Sequence, residues 1–420
     1  MSADVDKLSQ NIAAFENEGA LSDIKVLDFS WAAATPIATK NLADNGATVV
    51  RIESERHLDS VRITAPFPDD KPGVNRSGFF ADFNSSKFGV SLDLTNDSAR
   101  DIVRQLVLWA DVVVESFTPR VLSGLKLDYE NIVKWKPDII MLSSCMQGQT
   151  GPYKDYAGYG IQGAAIAGLH NVTGWPDLEP AGPKGAYTDT IAPRYIVASI
   201  LAALDYRDRT LKGQYIDLSQ IEAAVSGFLT IEMLDYSTNG RVAERRGNRS
   251  RYLAPHGSFP CLGDDYWVTI CVEDEDQWNS LCSAMGNPEW TKAEPFLTVQ
   301  GRFTHQDELE ALLSTWTSRQ HAKDVVECLQ RHKVPAGVVN KSVDLFEDPQ
   351  LKHRNHFRSL NHVEMGALDY NGPAYLLSET PAELHWAAPL LGEHTEYVMK
   401  NILGLSDDEY SDLESKSVFY

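Results

Sequence analysis

Gly185-Ala-Tyr-Thr-Asp-Thr-Ile-Ala-Pro-Arg194 runs through Tyr195 into the apolar stretch Ile196-Val-Ala-Ser-Ile-Leu-Ala-Ala-Leu204. A polar turn therefore gives way to a buried helix at this point. Thr188, Asp189 and Thr190 are all residue types that cap helix N-termini, and Pro193 suits a first helical turn. This places Asp189 at a helix start, where the macrodipole and free N–H groups favour an ionised carboxylate. Spacing alone fits a capping aspartate as readily as a catalytic one, and caps are the commoner case. The residues beyond Leu204 decide between them.

The continuation, Asp205-Tyr-Arg-Asp-Arg-Thr-Leu-Lys-Gly-Gln-Tyr-Ile-Asp-Leu-Ser-Gln-Ile-Glu-Ala-Ala-Val225, supplies a basic turn with Gly-Gln, a strand and a long helix. With the segment before it, this order resembles the family III CoA-transferases. That family includes the formyl-CoA and carnitine CoA-transferases and is related to the α-methylacyl-CoA racemases. The resemblance extends over nearly the whole chain. It implies an α/β fold with a Rossmann-like large domain, a smaller α+β domain, and dimers that interlock as two rings. It also puts Asp189 at the family's nucleophile.

Composition sets the outer bounds. The chain has 420 residues, 43% hydrophobic and 23% charged, enough for two or three domains and a large core. A formal net charge of −21 opposes nonspecific nucleic-acid binding and docking on anionic membranes. No apolar run approaches the roughly 20 residues that span a bilayer. The start, Met1-Ser-Ala-Asp-Val-Asp-Lys, lacks a signal-peptide apolar core, so a cytoplasmic enzyme is expected. The five cysteines form no Cys-x-x-Cys pair, and the eleven histidines show no metal-ligand spacing. Neither a metal nor a disulfide is expected.

The N-terminal half alternates strands and helices. A polar leader, read as helical, precedes the strand Asp23-Ile-Lys-Val-Leu-Asp-Phe29 and the loop Ser30-Trp-Ala-Ala-Ala-Thr-Pro36. A helix closing at Asn45-Gly46 and the strand Ala47-Thr-Val-Val-Arg-Ile-Glu53 come next. This is a Rossmann-like opening without Gly-x-Gly-x-x-Gly, so no dinucleotide is indicated. The small residues of the loop suit either a tightly packed βα turn or backbone approach to a ligand. The resemblance implies the second, with Ala33 and Ala34 against CoA. The strand Gly89-Val-Ser-Leu-Asp-Leu94 comes after Asn84-Ser-Ser-Lys87 and resembles the family element beside CoA, which adds Leu92 and Asp93 to the expected contacts. A helix from about Asn96 to Trp109 and the strand Asp111-Val-Val-Val-Glu115 lead to Ser116-Phe-Thr-Pro-Arg120. This turn matches the family's Glu-Asn-Phe-x-Pro-Gly signature, with Ser116 and Arg120 replacing its Asn and Gly. Ser116, Phe117, Thr118 and Arg120 are accordingly expected at the ligand. Among Arg51, Arg56, Lys87, Arg100, Arg104 and Arg120, two or three are expected to meet CoA phosphates and the rest to be solvated. Gly124 stands where some members carry an arginine.

After the strand Pro137-Asp-Ile-Ile-Met-Leu-Ser143 comes a Gly-x-x-Gly-Pro-like loop, Gly148-Gln-Thr-Gly-Pro152. Tyr159 lies 30 residues before Asp189 (189 − 159), where the racemases keep a catalytic histidine. A phenol with an ordinary pKa near 10 is a poor base at neutral pH. This departure argues against racemisation and leaves Tyr159 as an aromatic wall of the pocket. Residues 20–225 are thus read as the large CoA-binding domain, 226–340 as a connection and small α+β domain, and 341–420 as a segment returning to the large one. The arginine-rich stretch 241–251 reads as a solvated connection, with a phosphate-facing loop as the alternative. Strands at Tyr266–Val272 and Pro335–Val339, and helices at Asp276–Met285 and Leu309–Gln330, complete the small domain. No glycine-run lid is present. The tail Pro389-Leu-Leu-Gly-Glu-His-Thr-Glu-Tyr-Val398 matches the family's near-terminal motif, with His394 structural.

The resemblance implies transfer of CoA from an acyl-CoA donor, succinyl-CoA by analogy, to a carboxylic acid. It implies an aspartyl anhydride and an aspartyl-CoA thioester, with no cofactor beyond the CoA thioesters themselves. Nucleic-acid and membrane partners are not expected, whereas a homodimer or a heteromer with a similar chain is. A racemase and a noncatalytic subunit of a heteromeric transferase are the competing readings.

Overall fold

The computed structural model describes residues 18–183 and 185–420, so the leader read as helical lies outside the described residues. These residues form two compact units. The larger comprises residues 18–169, Gly182–Val242 and Lys352–Tyr420, and the smaller His170–Ala181 and Ala243–Leu351. Helix Thr230–Asn239 therefore stays with the larger unit, past the expected limit at 225, while a short piece before Asp189 belongs to the smaller one.

The larger unit is built on six parallel strands in the order β3-β2-β1-β4-β5-β6, the Rossmann order. They are β1 (Lys25–Asp28), β2 (Thr48–Glu53), β3 (Phe88–Ser91), β4 (Val112–Glu115), β5 (Ile140–Cys145) and β6 (Tyr215–Ser219). Neighbouring strand residues point to opposite faces. Leu27, Val50, Val90, Val113 and Met141 join one core with helix Ala99–Trp109 and with Val398, Met399 and Val418 of the tail. Val26, Val49, Val112, Ile140 and Leu142 join the other, under helices Ala34–Asp44 and Tyr187–Thr210. Burial on both faces explains why these strands read as continuous apolar runs. Each buried Val, Leu or Ile contributes about 1.5–3 kcal/mol. The tail is seated by His394, whose Nδ1 accepts the Gly89 amide at 3.0 Å, in keeping with a structural role. A hairpin of β10 (Phe357–His362) and β11 (Gly366–Asn371), absent from the sequence reading, packs beside helix Gly78–Asn84.

The smaller unit holds the antiparallel sheet β7 (His256–Pro260), β8 (Trp267–Cys271) and β9 (Ala336–Val338). Phe259, Val268, Ile270, Leu313, Val325 and Leu329 form its core. The expected helix over 309–330 is two helices, Gln306–Thr317 and Ala322–Arg331. The arginine stretch is fastened rather than freely solvated. Arg249 pairs with Asp307 and Glu310, and Arg245 donates to the Asn171 and Trp175 carbonyls at 3.3 Å. Among the described residues, no helix is long and apolar enough to cross a membrane.

Candidate active site

Helix Tyr187–Thr210 begins two residues earlier than expected, so Asp189 is its third residue and caps nothing. The Asp189 amide donates to the Ala186 carbonyl at 3.0 Å. Pro193 lies inside the helix, not in its first turn, and has no N–H to offer the Asp189 carbonyl four residues earlier. Among the described residues, the Asp189 carboxylate has no cation or hydrogen-bond donor beside it. Burial alone pushes its pKa up from 3.8 to about 6. The expectation that the helix start would favour ionisation is thus reversed by desolvation.

The carboxylate fits because its neighbour has no side chain. A Cβ on Gly160 would meet Asp189 Oδ2 at 2.5 Å and the Ala186 Cβ at 2.5 Å. Helix Gly160–Ile166 lies against the start of helix Tyr187–Thr210, and Thr188 Oγ1 donates to the Gly160 carbonyl at 3.1 Å. Gly163 lets the helices close, since a Cβ there would stand 3.0 Å from Thr188 Oγ1. The sequence reading missed Gly160; the signal available was its position directly after Tyr159.

Asp189 opens into a cavity of about 400 Å³ at the carboxyl ends of the strands. Ala33 and Ala34 after β1, Ser116, Phe117 and Thr118 after β4, and Tyr159 line it together with Asp189. The loops after β1 and β4 flank the point where the strand order reverses, where open α/β sheets bind ligands. Ser116 Oγ joins these loops, accepting from the Trp31 amide at 2.9 Å and donating to its carbonyl at 3.1 Å. The Trp31 and Phe117 rings meet edge to face at 5.4 Å. Glu115 and Gln149 fasten the β4 turn to the loop after β5. The Phe117 amide donates to Glu115 Oε2 at 2.7 Å, and Gln149 Nε2 to Glu115 Oε1 at 3.3 Å.

Leu92 and Asp93 line a second cavity of about 480 Å³, which shares Trp31, Phe117 and Val121 with the first. Gly124 is on its wall, and the Asp93 carboxylate holds Arg56 at 3.0 Å. Arg120 lines neither cavity; it is exposed and pairs with Asp155 at 3.5 Å. Arg100 and Arg104 are exposed on helix Ala99–Trp109.

Arg51 and Lys87 correct the expectation for this half. Both are fully buried, where neither solvent nor a ligand phosphate reaches them. Arg51 pairs with Asp59 at 2.5 Å and Glu53 at 3.4 Å, and Arg62 grips Glu53 with two bonds of 2.8 and 2.7 Å. Burial raises the Glu53 pKa, but the two guanidiniums outweigh it and pull the value down to about 2. Lys87 lies 3.3 Å from Asp28, and burial lowers its pKa to about 7 against that attraction. Among the described residues, the cation that does line the Asp189 cavity is Lys154, which the sequence reading did not single out. Among the described residues, no cluster of three His, Cys, Asp or Glu side chains is placed to hold a metal ion.

A Rossmann-ordered sheet with an unpaired, desolvated carboxylate at its switch point defines an α/β fold with a candidate nucleophile in a cavity. The family model described as CoA-transferase family III matches residues 21–395, and the chain belongs to that family. It is 29% identical over 398 residues to the succinyl-CoA–D-citramalate CoA-transferase of Chloroflexus aurantiacus, covering 95% of this chain and 98% of that one. It is 30% identical over 384 residues to the succinate–glutarate CoA-transferase of Agrobacterium fabrum, covering 91% and 95%. A crystal structure of a CaiB/BaiF family protein from Brucella suis matches with a TM-score of 0.83 at 29% identity, covering 91% and 99%. The protein is thus a CoA-transferase with a mixed α/β fold.

Proposed function

We propose that this enzyme moves CoA from succinyl-CoA to a small carboxylic acid, with Asp189 carrying the acyl group. The observation that carries the reading is the Asp189 carboxylate itself, raised to about 6 by burial and unpaired in a cavity of about 400 Å³. At neutral pH such a group is mostly ionised yet poorly solvated, which suits a nucleophile.

Asp189 attacks the thioester carbonyl; the C–S bond breaks, leaving a mixed anhydride and CoA thiolate. The thiolate attacks the aspartyl carbonyl and expels succinate, giving an aspartyl-CoA thioester. The acceptor carboxylate displaces CoA from that thioester as a second anhydride. CoA attacks the acceptor's carbonyl and frees Asp189. Charge moves between carboxylates and thiolate throughout, so the cycle needs neither a metal nor a redox group. Trp31, Phe117 and Leu92 supply apolar surface for the CoA moiety in the two neighbouring cavities.

Succinyl-CoA as donor is supported by the names of the relatives, whose acids are citramalate and glutarate. Assembly with a second copy or a similar chain is supported by helix Thr230–Asn239, which exposes Ile231, Met233, Leu234 and Tyr236. Incubation with succinyl-CoA and a panel of mono- and dicarboxylic acids, followed by mass spectrometry of the CoA products, tests the proposal. A new acyl-CoA with release of succinate is expected. Turnover of other donors with none of succinyl-CoA would replace the donor, and α-proton exchange without transfer would replace the reaction.

A further inference from the structure

We infer that Asp59 is a positioning residue for acyl transfer. It holds Ala32 in a left-handed conformation so that the Ala33 and Ala34 amides are left for the substrate. The inference rests on reading the Asp189 cavity as the acyl-transfer site.

Ala32 has φ 62°, a region that costs a residue with a Cβ about 1 kcal/mol or more and persists only where surroundings enforce it. Asp59 enforces it: both carboxylate oxygens accept the Ala32 amide at 3.1 Å. The acid is itself held by Arg51 Nη2 at 2.5 Å and by the Val61 amide at 3.1 Å. Ser30 and Trp31 before it are tied as well. Asp28 Oδ1 accepts the Ser30 amide at 2.8 Å, Arg51 Nη1 donates to the Ser30 carbonyl at 2.7 Å, and Ser116 holds both polar groups of Trp31.

The amides at the start of the next helix remain. Ala33 flanks and Ala34 begins helix Ala34–Asp44, no side chain caps that helix, and neither amide has a hydrogen-bond partner among the described residues. Both residues line the cavity that holds Asp189, as do Ala32 and Ser60, the latter directly after Asp59. The first N–H groups of a helix have no intrahelical partner, and here they stand beside the cavity that holds Asp189, where they can meet an acceptor atom. A thioester or phosphate oxygen of an acyl-CoA is such an atom. The residue that ties Ala32, Asp59, lies 27 positions away in sequence, which is why the strained alanine is not legible there.

The experiment compares the wild type, Asp59→Asn, Ala32→Val and the double variant Asp59→Asn with Ala32→Gly. Each is checked for folding by circular dichroism and assayed for succinyl-CoA turnover and for CoA binding by calorimetry. Asp59→Asn should raise KM for succinyl-CoA about tenfold and weaken CoA binding in parallel. Ala32→Gly should restore most of that loss, because glycine adopts positive φ without help. Ala32→Val leaves the buried ion pairs untouched and should raise KM similarly, because a β-branched residue resists this conformation. Asp59→Asn and Ala32→Val variants that keep wild-type KM and CoA affinity would overturn the inference, as would a loss in Asp59→Asn that glycine does not relieve. A wild type that transfers no CoA at all would instead overturn the reading of the site on which the inference depends.

Discussion

Gly160 faces the Asp189 carboxylate so closely that a Cβ on it would lie 2.5 Å from Oδ2 and 2.8 Å from Cγ. The place of the Asp189 carboxylate is thus shaped by the absence of a side chain on the facing helix. The same Cβ would press on the Ala186 Cβ, so no rotation of Asp189 alone makes room.

Gly160→Ala should therefore displace the carboxylate and lower kcat for CoA transfer by about 10²-fold, the usual cost of misplacing a catalytic group by roughly 1 Å. Overpacking should cost only about 1–3 kcal/mol of stability, leaving a folded protein. Steady-state kinetics with a melting curve checks both. A variant with wild-type kcat would show that the contact has no bearing on catalysis.

The Asp189 carboxyl at about 6 gives two linked pH effects. The log of kcat/KM should rise with pH and level off above about 6. Its effect on stability has the opposite sense. A carboxyl raised from 3.8 to about 6 adds stability below its unfolded value that is lost as pH rises through the folded one. Asp189→Asn should abolish transfer and remove this loss. At pH 7.5 it should be more stable than the wild type by about 1–2 kcal/mol, after allowing for the lost helix-dipole attraction. The gap should shrink towards pH 4. Denaturant titrations at both pH values measure it.

Lys87→Met should act on stability and not on substrate binding. It leaves the buried Asp28 carboxylate, which lies 3.3 Å from the Lys87 ammonium, without that partner. Breaking one side of a buried pair costs about 3–5 kcal/mol. The folded fraction should retain its KM for succinyl-CoA. A large rise in KM with unchanged melting would instead restore Lys87 as a ligand contact.

The buried charges show where sequence reading stops. Val26-Leu27 and Val49-Val50 announce parallel strands because both faces of the sheet are covered, and Asn45-Gly46 ends its helix where turn chemistry requires. Ala33, Ala34, Ser116 and Tyr159 could be placed near Asp189 because family motifs keep their order. Arg51 and Lys87 look like surface or ligand-facing cations in the sequence, since their neutralising partners are set by the fold. The hairpin Phe357–Asn371 is hidden for another reason: Arg358, Ser359, Asn361 and Asp369 break any apolar alternation. Helix Tyr187–Thr210 is legible as a helix, but it starts before Asp189, which makes Asp189 a half-buried acid of the first turn and not its cap.

Lys154 lines the Asp189 cavity, and if the substrate is dicarboxylic the Lys154 ammonium is expected to meet the free carboxylate. Lys154→Met should raise KM for succinyl-CoA several-fold while changing that for butyryl-CoA, which has no second carboxylate, by less than twofold. Equal effects on both thioesters would assign Lys154 to the CoA moiety instead.

The central claim is that Asp189 becomes covalently acylated, and trapping during turnover tests it most directly. The enzyme is mixed with succinyl-CoA in the presence of hydroxylamine, digested, and sequenced by mass spectrometry. A hydroxamate on Asp189, formed only when acyl-CoA is present and absent from Asp189→Asn, is the expected result. Continued CoA transfer by Asp189→Asn, or a hydroxamate on another acid with Asp189 unmodified, would contradict the account.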